Sequence, residues 1–133
     1  MAKKPRSKRT ATLIQEQKRL AKALKVEGEV FLNDKLVARS SKIHGTGVFA
    51  RTDLKKGTPL IEYVGEKVGK REAERRSDLG RSVYLFELNK RVDIDGSIGG
   101  NGSQWINHSC EPNAESELDG NAMMIVTTRP VKK

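Results

Sequence analysis

Residues 104–113 read Gln104-Trp105-Ile106-Asn107-His108-Ser109-Cys110-Glu111-Pro112-Asn113. From Asn107 to Cys110 the chain sets an amide, an imidazole, a hydroxyl and a thiol side by side, and Pro112-Asn113 then ends any regular element. That density of donors and acceptors is unusual in a packed core and suits a polar ligand with several groups to satisfy. Taken alone, the stretch fits a polar turn with one satisfied histidine equally well, since single His and Asn residues often cap or bridge.

Outward from this stretch every segment is short. Residues 96–104 hold four glycines and read as a loop that approaches something closely. Before it, Ser82 to Asn89 and Arg91 to Asp95 read as strands around Asn89-Lys90, and Lys70 to Leu79 is charged, helix-prone and ended by Gly80. Gly47 to Arg51 and Thr58 to Gly65 read as strands separated by the turn-rich Asp53-Leu54-Lys55-Lys56-Gly57. Val30 to Leu32 and Lys35 to Arg39 flank Asn33-Asp34, a pair suited to a tight turn. On the far side, Ala114 to Leu118 and Asn121 to Thr128 flank Asp119-Gly120, the strongest local hairpin signal in the chain. The expected fold is mainly β, with several short strands in small sheets and a little helix.

At 133 residues the chain suits one folded unit plus an extension. Its basicity is concentrated at one end. Residues 1–25 hold nine Lys or Arg against the single acid Glu16, a net of +8, so only +1 of the total +9 belongs to the remainder. Within that end, Thr12 and Gln15 have the form of a capping box, and Leu13, Leu20 and Leu24 share one face, which predicts a basic amphipathic helix over Leu13 to Val26. The expected division is a basic tail and helix over residues 1–28 and a folded domain over 29–133. An arm of this charge points to nucleic acid or a nucleoprotein as a partner, although no aromatic residue interleaves with its basic groups. A single cysteine, Cys110, excludes an internal disulfide and a multi-thiolate zinc site, and no metal is expected. No apolar stretch approaches the roughly 18–20 residues that span a bilayer, and Met1 to Pro5 is not followed by the apolar core of a secretory signal. The expected location is intracellular, cytoplasmic if the source is bacterial, with no membrane partner.

Two further stretches precede the polar one in a fixed order: His44-Gly45-Thr46-Gly47-Val48-Phe49-Ala50 and Glu62-Tyr63-Val64-Gly65-Glu66. Together with Asn107 to Asn113 they resemble the three ordered motifs of the SET-domain family of protein-lysine methyltransferases. Val83 to Leu88 and Val92 to Gly96 also look like the strand pair ahead of that family's glycine-rich loop. The resemblance runs from about Leu36 to Lys133 and implies a SET-type fold. It also implies S-adenosylmethionine as cofactor and a protein lysine as substrate.

Carried over position by position, the resemblance places His44, Gly45, Thr46 and Gly47 against the methionine part of S-adenosylmethionine, where glycines let backbone approach a zwitterion. It gives Asn107 and His108 the adenine and the amino-acid end, with Trp105 near the adenine. Tyr63 and Tyr84 become the walls of the lysine channel and the candidate catalytic residues, Tyr63 also bordering the cofactor. A lysine ammonium, with an ordinary pKa of about 10.4, must lose its proton before it attacks a sulfonium methyl. Desolvation among aromatic rings favours that loss.

Three departures from the family pattern carry expectations of their own. The sequence stops at Arg129-Pro130-Val131-Lys132-Lys133, before the family's glutamate-leucine-x-tyrosine-aspartate-tyrosine run. It therefore reads as a truncated piece or an incomplete domain of low activity. Gln104-Trp105 stands where many members have Arg-Phe. The cysteine-rich flanks of many chromatin-modifying members are absent, as in compact bacterial or viral members. The alternative readings are a non-catalytic SET-like binding module, or a nucleic-acid-associated protein acting through the arm.

Overall fold

The computed structural model describes Gln15 and residues 18–22, 28–41, 45–80, 84–106 and 112–133. Among these described residues the strands form three antiparallel sheets of three strands each. The first contains β1 (Glu29–Phe31), β2 (Leu36–Ser41) and β3 (Gly45–Ala50) in sequence order. Asn33 makes the predicted turn by accepting the amides of Lys35 at 2.8 Å and Leu36 at 2.9 Å on its side-chain oxygen, while its Nδ2 donates to the Leu60 carbonyl at 2.8 Å. The register sets Phe31 opposite Val37 and Val37 opposite Phe49. Leu36, Val48 and Ala50 alternate with these positions and pack into the core, so Phe31 and Phe49 lie on the outer face.

The second sheet has the order β4 (Pro59–Glu62), β9 (Ala122–Thr127), β8 (Ala114–Asp119). Its hairpin pairs Asp119 with Ala122, so the turn is centred on Gly120-Asn121, one residue later than the Asp119-Gly120 expected from sequence. Gly120 has a φ of 60°, and the positive φ falls on glycine at the first central position rather than on Asn121. The predicted strand Thr58 to Gly65 is also shorter than expected. It ends at Glu62, and Glu66–Gly69 begins a new strand, β5, in the third sheet.

That third sheet has the order β5, β7 (Val92–Asp95), β6 (Leu85–Glu87). The helix α1 (Lys70–Asp78) follows β5 directly, buries Ala73 and ends at Gly80 with a φ of 64°, as the sequence predicts. Lys70 ties its first turn to the sheet through Asp93 at 2.5 Å and Glu87 at 3.2 Å. Of the predicted amphipathic helix, Gln15 and residues 18–22 are helical with Leu20 buried, and the rest lies outside the described residues.

The core sits where the sheets meet. Leu36 comes from the first sheet, Leu60, Ile61, Met123 and Ile125 from the second and Ile94 from the third, with Tyr63, Leu54 and Leu88 from the connections. Leu54 and Val131 exchange both backbone hydrogen bonds, at 2.7 and 2.9 Å, closing the connection after β3 against the residues after β9.

Candidate active site

Tyr63 leaves the end of β4 and is 8% exposed, its ring 4.9 Å from that of Phe86. Its hydroxyl donates to the Tyr84 carbonyl at 2.7 Å, and the same carbonyl accepts the Gly96 amide at 3.0 Å. Burial, with the nearby Asp95 and Tyr84 adding to it, pushes the Tyr63 phenol well above its ordinary value. Tyr63 is therefore a neutral donor that locks Tyr84 to the start of the glycine-rich loop. It is not a proton acceptor.

The loop is held as tightly as its glycines suggest, and what it approaches is this chain's own structure. A Cβ at Gly65 would fall on the carbonyl of Asp95, and one at Gly96 would come 2.7 Å from the Tyr63 hydroxyl and 2.8 Å from Gln104 Cβ. The Tyr-x-Gly motif and the loop after β7 are thus packed backbone to backbone.

A charge cluster absent from the sequence reading fixes the base of the same loop. Asp95 is 1% exposed and accepts the Ser97 amide at 3.0 Å, the Ser97 hydroxyl at 2.5 Å and Arg76 Nη1 at 2.9 Å. Arg76, on α1, also binds Glu66 and Glu72, each at 2.9 Å. A buried carboxylate is tolerable only with such partners. The only sequence signal for it was an acid at the end of a strand and a basic residue inside a charged helix, too common a pair to single out.

Beside Tyr63 and Tyr84 opens a cleft of about 500 Å³, walled by Phe86, Ile106, Ser103 and Gln104 among others. Ser103 begins the 3₁₀ turn Ser103–Trp105, is 1% exposed, and its hydroxyl has no hydrogen-bond partner among the described residues. An orphaned buried hydroxyl in the wall of a cleft is a cost that a bound polar group would remove.

Of the other predicted residues, Gly45, Thr46, Gly47 and Trp105 are described. Gly45, Thr46 and Gly47 form the first half of β3, paired with Ser41, Ser40 and Arg39, and β3 packs beside Ser103–Trp105. Gly45 has a φ of 72°, and a Cβ there would meet nothing within 4 Å. Trp105 is half-buried. The turn thus joins the tyrosine cleft to the Gly-x-Gly strand. His44, Asn107 and His108 lie outside the described residues.

The family model for the SET domain matches residues 45–133, beginning on the first glycine of the Gly-x-Gly strand. The chain belongs to the SET-domain family. Human histone-lysine N-methyltransferase 2D is 34% identical over 109 residues, covering 76% of this chain and 2% of that protein. A variant-silencing SET domain-containing protein of Plasmodium falciparum is 38% identical over 96 residues, covering 65% of this chain and 4% of that protein. Among solved structures, a chain of a humanized mutant of the Chaetomium thermophilum Polycomb Repressive Complex 2 bound to the inhibitor GSK126 superposes with a TM-score of 0.62 at 28% identity. The superposition covers 73% of this SET domain chain and 13% of that chain. The chain spans only a small part of the length of each of these relatives. Their likeness carries the mainly β, SET-type fold expected from the sequence.

Proposed function

We propose that this SET domain transfers a methyl group from S-adenosylmethionine to the side-chain amine of a lysine in a protein, a histone being the first substrate to try given the names of its relatives. The observation that carries the reading is the cleft shared by Tyr63, Tyr84 and the orphaned Ser103 hydroxyl, joined through one 3₁₀ turn to an open Gly-x-Gly strand. The cofactor supplies an electrophilic sulfonium methyl. The described residues fit it. Gly45 leaves space in front of the backbone, and Trp105, half-buried in the 3₁₀ turn that packs against β3, offers an aromatic ring. His44, Asn107 and His108 complete the proposed binding set.

The roles of the two tyrosines differ. Tyr84 lines the cleft, while Tyr63 presents a ring and holds Tyr84 in place through its hydroxyl. The cleft's work is to desolvate and aim the neutral amine. The basic N-terminal arm serves in recruiting an acidic or nucleoprotein partner.

The test is calorimetry with S-adenosylmethionine followed by mass spectrometry of methylated histone. Asn107→Ala should weaken cofactor binding more than Tyr84→Phe, which should instead alter turnover or the number of methyl groups added. No detectable binding at millimolar cofactor with the fold intact would remove the enzymatic reading and leave a binding module. Equal losses of cofactor affinity in both variants would contradict the division of roles.

A further inference from the structure

The turn that opens the glycine-rich loop is held by two residues, Arg76 and Asp95, that do not line the cleft. Asp95 ends β7, the central strand of the third sheet, and pairs with Glu66 on β5 and Leu85 on β6. Its two carboxylate oxygens serve different elements. Oδ1 accepts the amide and the hydroxyl of Ser97, which sets the turn, and Oδ2 accepts Nη1 of Arg76 from α1. Between Asp95 and Ser97 lies Gly96, whose amide donates to the Tyr84 carbonyl at 3.0 Å and whose Cα has no room for a Cβ beside the Tyr63 hydroxyl. Tyr63 donates to that same carbonyl at 2.7 Å. A single glycine therefore separates the Arg76–Asp95 pair from both tyrosines of the cleft.

Stability alone is a poor reason for such a pair, because a buried ion pair roughly breaks even against a neutral, well-packed one. What this pair offers is direction. The Arg76 guanidinium is fixed on three sides, by Nη1 on Asp95, Nη2 on Glu66 and Nε on Glu72, each at 2.9 Å. A planar fork held in this way leaves its partner little choice of position. We propose that, granted the methyl-transfer reading of the cleft, Asp95 and Arg76 are positioning residues: through Gly96 they fix where Tyr84 and Tyr63 stand, and so where the substrate amine is aimed. Burial, and with it the Asp95 charge, keeps the Tyr63 phenol protonated, the form that donates to the Tyr84 carbonyl. Because α1 supplies Arg76, the seating of a helix outside the cleft is coupled to the geometry inside it.

The experiment has two readouts. Steady-state methylation of histone, with S-adenosylmethionine affinity from calorimetry, separates kcat from KM. Isotope labelling of tyrosine at ring carbon Cζ gives two NMR signals, since the chain has two tyrosines, and Tyr63→Phe assigns them. Asp95→Asn keeps an oxygen for Ser97 but no charge for Arg76, whereas Arg76→Lys keeps the charge but not the fork. Each should lower kcat on the order of 10-fold, change KM and cofactor affinity less than about threefold, and shift the Tyr63 signal. Lys70→Met, which releases the same helix from Asp93 and Glu87 instead, should leave both kcat and the signal unchanged. Adding Asp95→Asn to Arg76→Ala should recover part of the stability lost in urea but none of the lost kcat, a split that a merely structural pair would not give. Wild-type kcat in Asp95→Asn or Arg76→Lys, an equal loss in Lys70→Met, or an unmoved Tyr63 signal would each overturn the positioning role. If the wild type neither binds S-adenosylmethionine nor methylates, the methyl-transfer reading fails on its own, and the NMR signal still decides whether the pair holds the tyrosines.

Discussion

Gly65 and Gly45 belong to two motifs that look alike in sequence, yet the structure asks opposite things of them. At Gly65 a side chain has nowhere to go, because the Asp95 carbonyl occupies the place of a Cβ. At Gly45 space is free within 4 Å, and what matters is a φ of 72°. One glycine lets two segments of this protein touch. The other bends a strand end and leaves room in front of it, as a place reserved for a ligand would.

The sharpest way to break this comparison is Gly65→Ala, which should cost roughly 4 kcal/mol or more, since two backbones cannot part cheaply. Urea unfolding measures it, and a loss below about 1 kcal/mol would mean the contact is dispensable. On the same side of the molecule, Arg76→Ala should cost about 3 kcal/mol by leaving Asp95 buried and without its guanidinium. Combining it with Asp95→Asn should give less than the sum of the two losses, because both remove one pair. Gly45→Ala should cost only about 1–2 kcal/mol, from the left-handed backbone alone. If the space before it is a cofactor site, the same variant should lose a larger fraction of its S-adenosylmethionine affinity than of its stability.

Ser103→Ala tests whether the cleft is built for a ligand. Removing an orphaned hydroxyl should raise stability by up to about 1 kcal/mol while weakening binding in the cleft, and opposite signs are not what a packing residue would give. The smallest effect concerns acid. Hydrogen bonds from Arg75 and then Arg76 pull the Glu72 carboxyl down to about 2. A depressed carboxylate contributes stability above its unfolded value of 4.5 and loses it as pH falls toward 2. Thermal melts of wild type and Glu72→Gln should therefore converge over that window, the wild type falling more steeply.

What could be read from sequence followed locality. The Asn33 turn, the helix from Lys70 stopped by Gly80, and the hairpin at Gly120 rest on residues within a few positions of one another, and they were legible to within a residue or so. The strand β5 was missed because Glu66–Gly69 has a single buried apolar residue, Val68, and is a strand only through pairing with β7. The tyrosines were legible from motif order, and the structure brings Tyr63 and Tyr84 together. Ser103 and the Arg76–Asp95 pair were not, since burial and partners across 19 residues have no local signature. The same holds for Phe31 and Phe49, brought into one row only by register.

The pairing pattern also implies a timetable. The first sheet joins consecutive strands by short turns, so its closure costs little chain entropy. The second pairs Pro59 with Val126, and its cleft-facing residues stay apart until nearly all of the domain has left the ribosome. The first sheet should thus form before the tyrosine cleft does. A nascent chain would carry an ordered first sheet while the two halves of the cleft are still open coil.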